Sequence, residues 1–362
     1  MGRLLLSKRI APAVDVLLNE LDVFFRRPKW LPLHWERIAD GCVERVESGC
    51  VQIGPLLYVI CGYRTLDDPL SAIDVLDLRS GRWIERIEVP GFIAQTHCGV
   101  VSDGTRYIYF VSGQVGIQCS PAVVDCHSFD LQERVWGRLP PLPEARYAPA
   151  TLLWDGRIHV IAGSQEDRVT PAHEHWSLAV EHGSAKEARW RAEPSIPLGG
   201  PHRSSAVVGN GLYVLGSQHF DRPPIPGDPK YTCDWQAREE VFFKDCFVFL
   251  KHEGKWERVK DMPVAATHTE SSTFVLGRKI VVLGGFTPRR MLSDLIQVYD
   301  TEKDAWSIVG RMPWRNKGLV HGYYDSRLYV IAGQKNRSRF DATFGAVIRE
   351  GFRARFKLGT DS

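Results

Sequence analysis

The stretch SSTFVLGRKIVVLGGFTPRRMLSDLIQVYDTEKDAWSIV, residues 271–309, decides the fold. Ser272–Leu276 and Ile280–Leu283 are short apolar runs joined by the polar turn Gly277-Arg278-Lys279. Leu295–Tyr299 and Trp306–Val309 follow, which predicts four short antiparallel strands. The second run is nearly continuous apolar, as befits a strand covered on both faces. It ends in Gly284-Gly285, where small residues let the chain turn beside a neighbouring strand and adopt an unusual φ.

Working outward, the same kind of pair closes five other apolar runs: Cys61-Gly62, Ser112-Gly113, Ala162-Gly163, Gly216-Ser217 and Ala332-Gly333. The second members recur at intervals of 51, 50, 54, 68 and 48 residues. Trp83, Trp136, Trp190, Trp256 and Trp306 follow the first five pairs. A period near 50 with four strands per repeat predicts an all-β, six-bladed β-propeller. The tryptophan of each outer strand is expected to fill the wedge between blades. Its expected partner is the aromatic of the second strand: Tyr58, Tyr109, Tyr213 or Tyr329. His159 takes that place in blade 3, which makes it a core histidine, and Val281 takes it in blade 5.

Ring closure is legible as well. His34-Trp35-Glu36-Arg37-Ile38 matches Lys255-Trp256-Glu257-Arg258-Val259, an outer strand, yet no inner strand precedes it. The N-terminal strand is therefore expected to complete the last blade, which also contains Phe352–Leu358, and to remove the exposed sheet edges. The expected organisation is a tail over 1–32, a propeller over 33–358 and a short tail over 359–362. Blade 4 carries an insertion at 219–241 with Pro223, Pro224, Pro226 and Pro229, read as a surface loop with binding potential.

Bulk properties exclude several function classes. The net charge of +3 resides in residues 1–30, which carry six Lys/Arg against three Asp/Glu, so the propeller is neutral and nucleic acid is not an expected partner. No apolar run approaches the roughly 20 residues that span a bilayer. Leu4-Leu5-Leu6 is too short for a secretory core, and Asp15, Glu20 and Asp22 disfavour a transit peptide. The eight cysteines contain no Cys-x-x-Cys. Cys119 and Cys233, in loop-like segments, would pair in an oxidising lumen if the insertion spans blade 3. Asn336-Arg337-Ser338 is a glycosylation sequon.

Five stretches exceed the generic repeat: GYRTLD (Gly62–Asp67), DGTRYIYFVSGQVGIQC (Asp103–Cys119), RYAPATLLW (Arg146–Trp154), EHWSLAV (Glu174–Val180) and GGPHR (Gly199–Arg203). Through them the chain, over about residues 33–358, resembles the plant kelch-repeat proteins of the galactose oxidase/kelch superfamily. Those are membrane-anchored and Golgi-associated. The resemblance implies a Golgi or secretory location, although no anchor-like span precedes the propeller here. It implies no established activity.

In a propeller the inner strands start on the face where the second-to-third-strand connections emerge. The starts predict a polar ring at one channel mouth: Glu47, His97, Arg146 with Tyr147, His202 with Arg203, His268 with Glu270, and Arg315 with Lys317. Such a ring can hold a sugar or an anionic ligand. The competing reading makes these residues braces that bond backbone of the neighbouring blade. Galactose oxidase holds copper near this face with tyrosine and histidine ligands. His97, His202, His268 and Tyr147 come from different blades, too far apart for bonds of about 2 Å, so no metal and no cofactor are expected. His173-Glu174-His175 puts two histidines on one strand side, read as a solvated face. No nucleophile motif or phosphate-binding glycine loop appears.

The favoured function is a non-enzymatic, monomeric binding scaffold for a protein or glycan, working through the channel mouth. The alternative is a carbohydrate-active enzyme with its site in the ring. Glu47 and Glu270 are the ring's only carboxylates, and a close pair with one raised pKa would favour the enzyme.

Overall fold

A computed structural model describes residues 30–40, 42–65, 67–117, 120–220, 240–288, 291–336 and 344–358. The basic N-terminal segment, nearly all of the 219–241 insertion, Cys119, Cys233, two residues of the sequon and the C-terminal tail lie outside the described residues.

The chain is all-β and folds as a β-propeller. Five consecutive antiparallel sheets form blades, each ordered from the axis outward. The first runs Gly49–Ile53, Leu56–Ile60, Ala72–Asp77, Arg82–Glu88. The second runs Gly99–Ser102, Tyr107–Val111, Cys126–Asp130, Val135–Leu139. The third runs Ala150–Trp154, Arg157–Ile161, His175–Glu181, Arg191–Glu193. The fourth runs Ser204–Val208, Gly211–Phe220, Glu240–Leu250, Lys255–Val259. The fifth runs Thr273–Leu276, Lys279–Leu283, Met291–Asp300, Ala305–Lys317. A further sheet joins Val320–Tyr324, Arg327–Ile331 and Gly351–Arg355 to Glu36–Arg37 from the other end of the chain. The inner strands of the five blades touch in succession, and Val320–Tyr324 touches Gly49–Ile53 and the short helix Glu270–Ser272 that leads into the fifth blade.

The small pairs work through backbone geometry. Cys61, Ser112, Ala162, Gly216, Gly284 and Ala332 have φ between 51° and 62°. Their followers Gly62, Gly113, Gly163, Gly285 and Gly333 lie at 90–101°, where side chains are strained. At Gly285 a Cβ would also fall 2.8 Å from the Thr267 carbonyl oxygen. Ser217 departs from this pattern: the register slips between Leu215 and Ser217 as a bulge, and pairing then resumes. The strand therefore continues to Phe220 against Glu240–Phe243. The second and third strands of the fourth blade thus stay paired beyond the length seen in the other blades.

Apolar clusters fill the wedges between blades. Tyr58, Ile60, Ile73 and Val75 of the first blade pack with Ile108, Phe110 and Phe129 of the second. Burying each such side chain stabilises the fold by about 1.5–3 kcal/mol. The tryptophans also have partners within their own blades. Trp136, Trp256 and Trp306 sit directly opposite Phe129, Phe249 and Tyr299 of the third strand, with centroids 4.7, 5.3 and 5.1 Å apart. Side chains directly opposite in an antiparallel pair share a face, so the ladder selects these partners. The second-strand tyrosines meet the tryptophan of an adjacent blade in the wedge, as expected: Tyr58 clusters with Trp136, Tyr109 with Trp190, Tyr213 with Trp306 and Tyr329 with Trp83, and Tyr329 Oη donates to the Leu78 carbonyl at 2.6 Å. The indoles also bond backward. Trp190, Trp256 and Trp306 donate to the carbonyls of Pro140, Pro194 and Lys260 in the preceding blade, at 2.8–2.9 Å. Trp35 donates likewise to Arg311 of the fifth blade, at 3.0 Å.

His159 is buried, as its strand position implies. Its Nδ1 lies 2.8 Å from His175 Nε2. The reading of His173 and His175 as one solvated face is corrected: His173 is exposed, whereas His175 is buried against His159 and Trp256.

Candidate binding site at the channel mouth

Each inner strand is preceded by a residue in the left-handed region: Glu47, His97, Ala148, His202, His268 and Gly318, with φ from 48° to 59°. This kink turns the side chain toward the axis. It also places the backbone so that Ala148 N donates to His97 O, His202 N to Ala148 O and Gly318 N to His268 O, at 2.8–3.1 Å. The equivalent positions in the third and last repeats are therefore Ala148 and Gly318. Arg146 with Tyr147, and Arg315 with Lys317, sit just before them.

Most of the ring converges. His202 and His268 stack face to face, with centroids 3.7 Å apart and planes at 11°. His97 meets His202 edge-on at 5.4 Å and stacks on Tyr147 at 4.2 Å. Glu270 Oε1 accepts from His202 Nδ1 at 2.9 Å. Glu47 Oε1 accepts from Lys317 Nζ at 3.3 Å and lies 3.6 Å from His268 Nε2. The expectation that histidines from different blades stay too far apart to share an ion is thus corrected. The left-handed kinks bring Glu47, His202 and His268 to within 4.8 Å of one another, counted by one donor atom each.

The arginines do not join them. Arg203 is fully buried and donates to the carbonyls of Gly199 and Gly216. Burial without a carboxylate partner brings its pKa down to about 10. Arg146 is buried too, donating to Glu174 at 2.6 Å and lying over Trp176. Arg45 is its counterpart in the first repeat, bonded to Asp74 and to the carbonyls of Val59 and Cys61. Arg315 is half-buried on the outer strand of the fifth blade.

Burial sets the charge states. It holds His97 and His268 well below the ordinary imidazole range, so both are neutral near pH 7. Burial also raises the Glu47 carboxyl, opposed by Lys317 and assisted by Glu270. Tyr147 is raised by burial, with Arg168 donating to its hydroxyl at 3.0 Å.

Sequence reasoning missed Tyr63, Arg168 and Phe286. Tyr63 and Phe286 directly follow small pairs, and their rings lie 6.2 Å from His97 and 5.6 Å from His268. Their place in the repeat could have revealed them. Behind the ring is a cavity of about 210 Å³, lined by Ser48, Cys50, Cys98, Thr151, Ser205 and Thr273 among others. That is below the roughly 300–1,000 Å³ of typical small-molecule sites.

The rim has other chemistry. Phe92, Ile117, Val124 and Val241 are exposed large apolar side chains. All four sit in, or beside, connections that emerge on the mouth face. Gln95 ties two of these loops together: its Nε2 donates to Gly91 O, and its Oε1 accepts from Gly116 N. A groove of about 900 Å³ follows between Pro121–Asp125, Pro143–Arg146 and Gln165–Asp167.

Comparison with known proteins agrees with this architecture. The kelch motif matches residues 269–313. A kelch repeat-containing protein of Arabidopsis thaliana is 37% identical over 332 residues, covering 90% of this chain and 77% of that protein. Kelch-like protein 21 of Bos taurus is 23% identical over 72% of this chain and 44% of its own length. Beta-scruin of Limulus polyphemus is 24% identical over 67% of this chain and 25% of its own length. The solved structure of YjhT superposes with a TM-score of 0.60 at 13% identity, over 73% of this chain and 84% of that one, a likeness of fold. The chain belongs to the kelch-repeat protein family.

Proposed function

We propose that residues 33–358 form a closed ring of six blades, completed by the N-terminal strand, that binds a protein partner on its channel-mouth face. The closure is supported by the pairing of Glu36–Arg37 with Gly351–Arg355 and by the backward indole bond of Trp35. The observation that carries the binding reading is the concentration of exposed apolar side chains at the rim. Phe92 is 63% exposed and Ile117 49%, on loops that Gln95 holds together. Aromatic and aliphatic anchors on rigid connections suit protein association. The small polar cavity suits a glycan less well. The resemblance to anchored plant proteins extends the proposal to the Golgi, which fractionation of the native protein tests.

The experiment compares partner capture by the wild-type chain with that by Phe92→Ser/Ile117→Ser. An edge variant, Ile84→Ser/Val135→Ser, serves as control because both residues are equally exposed but lie on outer strands. The rim variant is expected to bind at least tenfold more weakly and the edge variant normally. Equal capture by all three would remove the rim from the proposal.

One observation favours the carbohydrate-active alternative. Glu47 is held above the usual carboxylate range by burial, and Glu270 adds to the rise, as an acid/base pair requires. Hydrolysis of glycoside substrates that is abolished in Glu47→Gln would establish it; no turnover would leave the scaffold reading in place.

A further inference from the structure

We propose that the groove between the second and third blades docks a basic segment of the protein partner, one that carries lysine or arginine beside an apolar side chain. The proposal rests on the protein-binding reading of the mouth face and names the chemistry of the partner there.

The first observation is shape. Three mouth-face connections, 121–125, 143–146 and 165–167, wall the groove of about 900 Å³. Backbone bonds tie these walls together: Leu142 N donates to Val124 O at 2.9 Å, and Ala122 N to Glu166 O at 3.4 Å. Ala122 and Ala145 of the lining pack with Tyr147 and Ala148 in a buried cluster. A groove held in this way is formed before its partner arrives, so little ordering opposes binding.

The second is an excess of negative charge. Asp125, Glu144, Glu166 and Asp167 line the groove against one guanidinium, that of Arg146. Arg146 is already shared, because its Nη2 donates to Glu174 at 2.6 Å and to Glu144 at 3.1 Å. Arg138 reaches Asp125 from an exposed position, and Asp167 caps its own turn through the amides of Val169 and Thr170. Glu166 is exposed and has no ion pair among the described residues. The propeller as a whole is neutral, so this excess is local to the groove. Carboxylates without a matching counter-charge attract lysine and arginine and repel an acidic segment.

The third is apolar surface in the same place. Val124, 36% exposed, belongs to the lining, as do the exposed Pro121 and Pro143. Ile117 lies on the connection that also supplies Val124, and Gln95 fixes that connection to the one that carries Phe92. A small cation would use the carboxylates alone, and a purely apolar segment would leave them unmatched. A basic segment with an apolar side chain uses both. Its charges set orientation and choice of partner, and its apolar anchor supplies most of the affinity.

The test selects peptides from a random library displayed on phage against the full chain, then measures the selected peptides in solution by fluorescence polarisation. They are expected to carry net positive charge and at least one apolar residue, and to bind more weakly as salt rises. Glu144→Gln/Glu166→Gln is expected to weaken them at least tenfold. Glu253→Gln/Glu257→Gln, which removes the same charge at the outer edge of the fourth blade, is expected to leave them unchanged. Glu144→Lys/Glu166→Lys is expected to select acidic peptides instead, a gain that misfolding cannot produce. Acidic, uncharged or no selected peptides on the wild type would overturn the proposal. So would binding unchanged in Glu144→Gln/Glu166→Gln. Binding that appears only after residues 1–28 are deleted would assign the groove to the chain's own basic segment and overturn it too. The two readings fail separately: a native partner lost by Phe92→Ser/Ile117→Ser but kept by Glu144→Gln/Glu166→Gln removes the groove and leaves the rim, and the reverse pattern removes the rim and leaves the groove.

Discussion

The rim and the centre of the channel mouth are built from the same connections, yet their chemistry is opposite. At the rim Phe92 and Ile117 leave apolar surface in water. At the centre Glu47, His97, His202 and His268 withdraw polar groups from it, each less than a tenth exposed. A left-handed residue before the inner strand aims a side chain at the axis. Phe92 and Ile117, within the connections, point outward. Position within the repeat, more than residue type, decides which side chains meet each other and which are left to meet a partner. The arginines make the same point. Arg203 directly follows His202 in sequence, but it is spent on backbone carbonyls and brings no charge to the mouth.

The largest effect is expected from opening the ring. Deleting residues 1–40 removes Trp35 and the strand Glu36–Arg37, and exposes the edge of Gly351–Arg355. Cooperative melting should be lost and aggregation should follow, whereas deleting residues 1–28 should leave the melt unchanged. A well-folded monomer lacking residues 1–40 would refute the closure.

Next comes the brace. Arg203→Ala removes the side-chain donor to the Gly216 carbonyl and the closest donor to Gly199, and leaves a cavity, so it should cost about 3–5 kcal/mol of stability in denaturant unfolding. A cost below about 0.5 kcal/mol would mean that Arg203 belongs with the exposed residues after all.

A smaller effect is expected from pH. Burial depresses His321 to about 4, with its Nδ1 at 2.8 Å from the Ser271 carbonyl oxygen. A histidine that titrates near 6.5 when unfolded but near 4 when folded contributes stability that is fully present above pH 6.5. That stability is lost as pH falls, because the unfolded chain takes up the proton first. At pH 5 the loss is about 2 kcal/mol for this one group. Melting temperature should fall from pH 7 to pH 5, and His321→Phe should flatten the decline. An unchanged slope in that variant would show that His321 is not the group responsible.

Much of the fold was legible because it is local. The small pairs mark turns that require positive φ, and the tryptophans mark outer strands. Both are properties of a few adjacent residues. The likeness of His34–Ile38 to Lys255–Val259 marks an outer strand, and Glu36–Arg37 pairs with Gly351–Arg355. The site was legible only in part. The strand starts could be located, but not which residue of each start carries the kink, so Arg146 and Arg315 were read in place of Ala148 and Gly318. Convergence of His202 with His268 depends on how tightly the strands close around the axis, which no single repeat encodes. The third-strand partners of the tryptophans were not legible, because cross-strand register, unlike alternation, is not written within one strand.

The most direct measurement is partner capture by three chains of matched stability: wild type, Phe92→Ser/Ile117→Ser and Ile84→Ser/Val135→Ser. The account predicts that the rim variant alone loses the partner, by at least tenfold, with stability within about 0.5 kcal/mol of wild type. A rim variant that captures its partner as well as wild type would contradict the central claim.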